Sequence, residues 1–200
     1  MSYAIVGFGK IGQALARAFA RKNIDVTVAS RRPPEDLAPQ ARAIGPTVAA
    51  KSLQEALKAD TIFLAVLFDQ HLDVAKALPS WKGKTIIDVT NAFGVPPEDL
   101  DGLPSSAFVA KSIPGAKVVK GFNHLIAATL ATDPVVEGGH RVVFLSSDDD
   151  DAVAPVADLA KQLGFAPVKL GKLNEGGWLV HARGRTWGQL IFQDVFKKQQ

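Results

Sequence analysis

Short apolar runs alternate with amphipathic stretches along the whole chain. Tyr3-Ala4-Ile5-Val6 is an apolar run of strand length. Behind it Ala14, Leu15, Ala18 and Phe19 recur at helical spacing, with Arg17, Arg21 and Lys22 on the other side. Residues 24–29 read as a second strand, 35–45 as a short helix carrying Leu37, Ala41 and Ile44, and 47–50 as a short third strand. Ser52-Leu53-Gln54-Glu55 is a capping-box pattern opening a helix to Lys58. Residues 62–67 are apolar at every position, the pattern of a strand buried on both faces. A helix is expected over 69–78, a strand over 85–89, a Pro-rich loop to Pro104, and a helix over 105–113 that stops at Pro114-Gly115. Strands over 116–122 and 141–145 are separated by a short helix at 125–130. A helix over about 150–163 ends at Gly164, residues 166–170 read as an eighth strand or an extended segment, and a last amphipathic helix spans 178–198, with Gly184 and Gly188 as points where it could break. Strands and helices in this order predict an α/β, Rossmann-like fold with a doubly wound, mostly parallel sheet and a small C-terminal extension. The expectation is one dinucleotide-binding domain over 1–200, with a core of about 1–123 and a smaller part of about 124–200.

Composition narrows the setting. With 47% hydrophobic residues in 200, the chain can bury a sizeable core. It has no cysteine, which excludes disulfides, a thiol nucleophile and a cysteine metal site and suits a reducing cytoplasm. No apolar run reaches membrane-spanning length, and Met1 leads straight into the first strand, so neither a signal peptide nor a membrane partner is expected. A net charge of +3 fits an anionic ligand but is too small and scattered for nucleic acid. The acidic run Asp148-Asp149-Asp150-Asp151 starts a helix, where carboxylates cap the end and complement its dipole; no metal site is expected.

Candidate chemistry begins at Gly7-Phe8-Gly9-Lys10-Ile11-Gly12, a G-x-G-x-x-G between strand and helix. Gly7 permits the tight turn, Gly9 leaves the backbone open to a pyrophosphate, and Gly12 lets the helix pack close to the sheet. The helix N-terminus then faces the phosphates. The second strand ends at Ser30-Arg31-Arg32, where NAD-binding units carry an acid for the ribose 2′-hydroxyl. A carboxylate there would repel a 2′-phosphate; guanidinium groups attract it and can bind it bidentately. The ligand expected is therefore NADP(H). The carboxyl end of 62–67, with Phe68, should border the nicotinamide side of the cleft.

The chain resembles a known family at Ser30-Arg31-Arg32, at Pro114-Gly115-Ala116-Lys117-Val118-Val119-Lys120-Gly121-Phe122-Asn123, and at Leu163-Gly164-Phe165. It is similar to the NADPH-dependent oxidoreductases related to the archaeal F-420:NADP oxidoreductases, a unit shared with the cytoplasmic domain of the six-transmembrane metalloreductases. The resemblance covers nearly the whole chain. It implies hydride transfer between NADP(H) and a flavin-like acceptor (FMN, FAD or F-420), in a cytoplasmic homodimer. It also implies that Gly7, Phe8, Gly9, Lys10, Ile11 and Gly12 hold the pyrophosphate, that Ser30, Arg31 and Arg32 hold the 2′-phosphate, and that Ala65, Val66 and Leu67 flank the nicotinamide ribose. The Phe122-Asn123-His124 turn would lie near the acceptor ring. Asn123 matches the metalloreductase-like branch, which leaves the acceptor open.

Hydride transfer needs little acid–base machinery, because the protein positions two rings and excludes water. His124, beside Asn123 at the expected carboxyl edge of the sheet, is the first candidate to donate a hydrogen bond or proton to the acceptor, against a structural or surface role. His71 could border the same cleft, whereas His140 and His181 read as loop or surface residues. Asp88 could hold the following loop or touch ligand. Phe192 and Phe196, with Leu190, Ile191 and Val195, are either core or a dimer interface, and Trp178 and Trp187 either cover the acceptor cleft or pack. Two other functions fit the same residues: a non-catalytic NADP(H)-binding redox sensor, and a dehydrogenase of a small imine or hydroxy acid.

Overall fold

The computed structural model describes residues 1–181. Its first half alternates strictly: β1 (Tyr3–Val6), α1 (Lys10–Arg21), β2 (Val26–Ala29), α2 (Pro34–Ile44), β3 (Val48–Ala50), α3 (Leu53–Ala56), β4 (Thr61–Leu64), α4 (His71–Ala75) and β5 (Thr85–Asp88). There follow α5 (Ser105–Ser112), β6 (Lys117–Gly121), α6 (Ala127–Ala131), a small hairpin of β7 (Val135–Val136) and β8 (Gly139–His140), then β9 (Val142–Ser146), α7 (Asp150–Gln162), β10 (Ala166–Lys169) and α8 (Gly176–Leu179).

Among the described residues eight strands form one sheet in the order β10-β9-β6-β5-β4-β1-β2-β3. Every neighbouring pair is parallel except β6 with β9. The chain winds outward from β1 in one direction through β2 and β3, and in the other through β4, β5 and β6. The carboxyl end of β1 is thus a switch point, where open α/β sheets bind ligands.

Alternation along the strands divides the apolar residues between two faces. Ile5, Val28, Phe63, Ile87 and Val119 pack with Leu15 and Phe19 of α1 and Val153 and Val156 of α7. Ala4, Val6, Ile62, Leu64, Ile86 and Val118 pack with Ala56 of α3, Val74 of α4 and Val109 of α5. A file of rings, Tyr3–Phe19–Phe63–Phe122–Phe165, crosses the first face with centroids 5.4–5.6 Å apart. Such contacts add about 0.5–1.5 kcal/mol each beyond area burial. Phe122 has φ +62°, a conformation that is strained for a bulky side chain, and its fully buried ring holds it there.

Several boundaries differ from the sequence expectation. The fourth strand ends at Leu64, so Ala65, Val66 and Leu67 form the loop beyond it. The expected helix 69–78 is a 3-10 turn (Phe68–Gln70) followed by α4. The capping box is present with both bonds: Glu55 N–H donates to Ser52 Oγ (3.3 Å) and Ser52 N–H to Glu55 Oε2 (3.1 Å). The β7–β8 hairpin was not foreseen; Glu137 (φ +49°) and Gly138 (φ +81°) are the two left-handed residues of its tight turn. The helix expected over 178–198 is described only at its start, where α8 ends at Leu179; Trp187 and the apolar stretch with Phe192 and Phe196 lie outside the described residues. Among the described residues no helix is long and apolar enough to cross a membrane.

Candidate functional site

A cavity of about 560 Å³ opens over the carboxyl end of β1, within the range of ~300–1,000 Å³ usual for ligand sites. Its floor is fixed by backbone bonds that continue the ladder past the strand ends. Gly7 N–H donates to Ala29 O (2.8 Å) and Ala65 N–H to Val6 O (2.8 Å). Gly7 has φ +101°, and a Cβ there would lie 2.2 Å from Ala65 O, so only glycine lets the loops after β1 and β4 touch. At Gly12 a Cβ would lie 1.9 Å from Gly7 O. Gly12 therefore sets how closely α1 approaches the turn, and it does not itself line the cavity. At Gly9 a Cβ would meet nothing within 4 Å. It would stand in the open space before the helix.

The helix α1 begins there without a side-chain cap. Its first backbone bond is Gln13 N–H to Gly9 O (2.9 Å), which leaves the N–H groups of the first turn available to a ligand. The cavity is basic: Ser30, Arg31 and Arg32 line it together with Lys10, against a single carboxylate among the described residues, Asp73. The turn after β2 is ordered by Arg32 N–H donating to Ser30 Oγ (3.0 Å), and Arg32 Nη2 reaches Gln40 Oε1 of α2 (3.5 Å). Phe8, Ile11, Ala65, Val66 and Leu67 continue the lining. The glycine turn, the basic residues and the loop after β4 are thus brought to one cavity. Open backbone at Gly9, an uncapped helix start and paired guanidinium groups fit a dinucleotide with a 2′-phosphate.

Leu53, Gln70, Asp73 and Val74 also line the cavity and were not foreseen. Their sequence signal is faint. Gln70, Asp73 and Val74 share helical spacing, but nothing in the chain says that this face turns toward the ligand.

Asn123 and His124 are not among the lining residues. Asn123 is buried, and its Nδ2 donates to Asn91 Oδ1 (3.0 Å) and to Val180 O (2.7 Å), while Asn91 Nδ2 returns a bond to Asn123 O (2.8 Å). It ties the loops after β5 and β6 to the segment after α8. The His124 ring packs on Phe144, and its Nε2–H donates to Val142 O (3.1 Å). Burial pushes its pKa down to about 4, so it is neutral at pH 7. His71 is also buried, between Phe68 and Phe108, with Nδ1–H donating to Phe68 O.

A second polar group, of which the sequence singled out Asp88 but not its partner, lies outside the cavity lining. Lys120, in mid-strand and 1% exposed, pairs with Asp88 (3.0 Å) and donates to Thr90 O. Asp88 Oδ1 accepts from Thr90 N–H (2.9 Å) and Oγ1–H (2.7 Å). Burial pushes the Lys120 ammonium pKa down and Asp88 opposes it. His181, expected at the surface, is buried, and its Nδ1 accepts from Ser105 N–H (3.3 Å) at the start of α5; burial and then the Lys120 charge lower its pKa. The signal was a lysine inside the apolar run Val118-Val119-Lys120, where a charge demands a partner. Asp149 caps α7 as expected, its carboxylate accepting from Asp151 N–H (3.1 Å).

Comparison with known proteins extends this geometry. The profile of the family described as "NADP oxidoreductase coenzyme F420-dependent" matches residues 2–92. Metalloreductase STEAP3 from Rattus norvegicus is 28% identical over 172 residues, which are 84% of this chain and 33% of that protein. The chain therefore spans about a third of that relative's length. A hypothetical protein, SMa0349 from Sinorhizobium meliloti, superimposes with a TM-score of 0.90 at 40% identity over 97% of this chain and 96% of that one. A putative F420-dependent NADP-reductase from Arthrobacter sp. FB24 superimposes with a TM-score of 0.72 at 27% identity over 86% of each chain.

Proposed function

We propose a specific hydride transfer for this chain from one premise: it belongs to the family of coenzyme F420-dependent NADP oxidoreductases. That family makes it an NADP-dependent oxidoreductase. The proposed reaction runs between NADP(H) and a flat-ring acceptor of the flavin or deazaflavin class. The observation that carries it is the single cavity joining Arg31 and Arg32, the glycine turn and the loop Ala65–Leu67.

When bound, NADPH supplies the hydride. The chain's own residues bind and orient. Arg31 and Arg32, with the Ser30 hydroxyl, take the 2′-phosphate. The backbone from Gly7 to Ile11, at the start of α1, takes the pyrophosphate, with the Lys10 charge beside it and Gly12 setting the approach of the helix. Ala65, Val66 and Leu67 border the ribose on the nicotinamide side. On the acceptor side, Leu67, Phe93 and Ile126 stand 67%, 58% and 52% exposed after three adjacent strands, β4, β5 and β6. Large apolar side chains at that edge support a flat aromatic acceptor over a small hydroxy acid. His124 is assigned no proton transfer, because it is neutral and bonded to Val142 O.

The test is a titration with NADPH and with NADH, followed by turnover with FMN, FAD and F-420. Each guanidinium bond to phosphate contributes about 1.5–3 kcal/mol, so the expected preference for NADPH is on the order of a hundredfold or more. Arg31→Ala with Arg32→Ala should abolish it. An unchanged ratio would overturn the 2′-phosphate assignment, and NADPH binding without turnover on any of the three would overturn the acceptor class.

A further inference from the structure

The cavity wall formed by α3 and α4 has no phosphate to hold, yet it is not merely apolar. Leu53 and Val74 line it together with Gln70 and Asp73. Among the described residues Asp73 is the one carboxylate in a lining that also carries Lys10, Arg31 and Arg32. A carboxylate beside a multiply charged anion weakens binding by repulsion unless the ligand offers it a hydrogen-bond donor. Among the described residues neither the Asp73 carboxylate nor the Gln70 amide has a hydrogen-bond or ion-pair partner. Both groups are free to meet a ligand.

Position says which part of the ligand they meet. Ser30, Arg31 and Arg32 follow β2, the stretch from Gln70 to Val74 follows β4, and β2 and β4 flank β1 on its two sides. Ala56 of α3 and Val74 of α4 pack on the sheet face opposite α1. If the 2′-phosphate lies at the arginines and the pyrophosphate at the start of α1, the base on that same ribose projects toward this wall. Gln70, Asp73 and Val74 recur at a spacing of three and four and share one side of their turn. Two aliphatic side chains and two polar tips suit a flat heterocycle with a hydrogen-bonding edge.

We infer that Asp73 and Gln70 read the edge of the adenine ring. The Asp73 carboxylate accepts from the 6-amino group, and the Gln70 amide donates to a ring nitrogen beside it. A 6-oxo purine turns a carbonyl lone pair toward Asp73 and is rejected. Asp73 and Gln70 thus make the site selective for the base as well as for the phosphate. The inference rests on the reading of this cavity as the NADP(H) site.

The experiment compares the affinity of the intact protein for NADPH and for reduced nicotinamide hypoxanthine dinucleotide phosphate, in which a 6-oxo group replaces the 6-amino group and the adjacent N1 carries a proton. A hydrogen bond to a charged group corresponds to roughly ten- to a hundredfold in affinity, and the 6-oxo analogue should bind more weakly by that factor. In Asp73→Asn the amide can turn either its oxygen or its nitrogen to the base, so the two affinities should come within about threefold. Equal binding of both dinucleotides by the wild type would overturn the inference and leave the cavity assignment standing. So would a ratio kept in Asp73→Asn. Binding of neither dinucleotide would overturn the cavity assignment and this inference with it.

Discussion

Gly9 and Gly12 are three residues apart in one motif, and a methyl group should do opposite things at each. At Gly12 the added Cβ falls 1.9 Å from Gly7 O, a backbone atom that cannot swing away. Relieving the clash to about 3.2 Å requires roughly 1.3 Å of movement of α1 against the turn, an overpacking cost of about 3 kcal/mol. In a chain of 200 residues that lowers Tm by about 6–12 °C. At Gly9 the Cβ meets nothing within 4 Å, and φ −80° suits alanine. Its cost to the fold is no more than about 1 kcal/mol, from a poorer helix cap. The methyl does, however, fill the space through which a phosphate must approach the backbone. Loss of one charge-assisted bond there weakens NADPH by about ten- to a hundredfold. Thermal denaturation and NADPH titration of Gly9→Ala and Gly12→Ala check both halves. The reasoning fails if Gly9→Ala keeps NADPH affinity within about threefold, or if Gly12→Ala melts with the wild type.

Two further predictions concern the fold beneath the site. Lys120→Met leaves the buried Asp88 with only the donors of Thr90 and should cost about 3–5 kcal/mol in urea denaturation; adding Asp88→Asn should recover part of it, and an additive double mutant would refute the pairing. His124 titrates near 6.5 in the unfolded chain and near 4 in the folded one, so between those values only the unfolded state takes up its proton. Stability should therefore fall as pH drops from 6.5 to about 4, by about 3 kcal/mol from this group. Denaturation of the wild type and His124→Leu at pH 7 and pH 4.5 isolates the effect, and parallel losses in both would exclude it.

Local signals carried most of the fold. Glycine turn, capping box and apolar runs act over a few residues, and they located the six-strand parallel core, the dinucleotide motif and the basic end of β2. Long-range consequences were not legible. The reversal of β9 against β6 depends on where a chain of some twenty residues returns, and Arg141 to Leu145 reads alike in either direction. The roles of Asn123 and His181 depend on where Val180 and His181 come to lie after α8, so an amide expected at an acceptor ring joins loops, and an expected surface imidazole accepts from the start of α5. Lys120 was the legible exception that went unread, a charge in a strand with no room for water.

The two outer strands of the sheet bear on self-association. Ala166 and Leu170 donate their amides inward, to Arg141 O and Leu145 O, so alternation turns Pro167 and Lys169 outward. Proline has no N–H to give, and the lysine leaves a solvated charge beside the one remaining donor. At the opposite margin β3 is three residues long. Among the described residues neither border offers a template on which a second sheet can be added strand by strand. Two copies of this chain, if they pair as the resemblance implies, must meet through helices and loops, and the same borders keep crowded copies from zipping into fibrils.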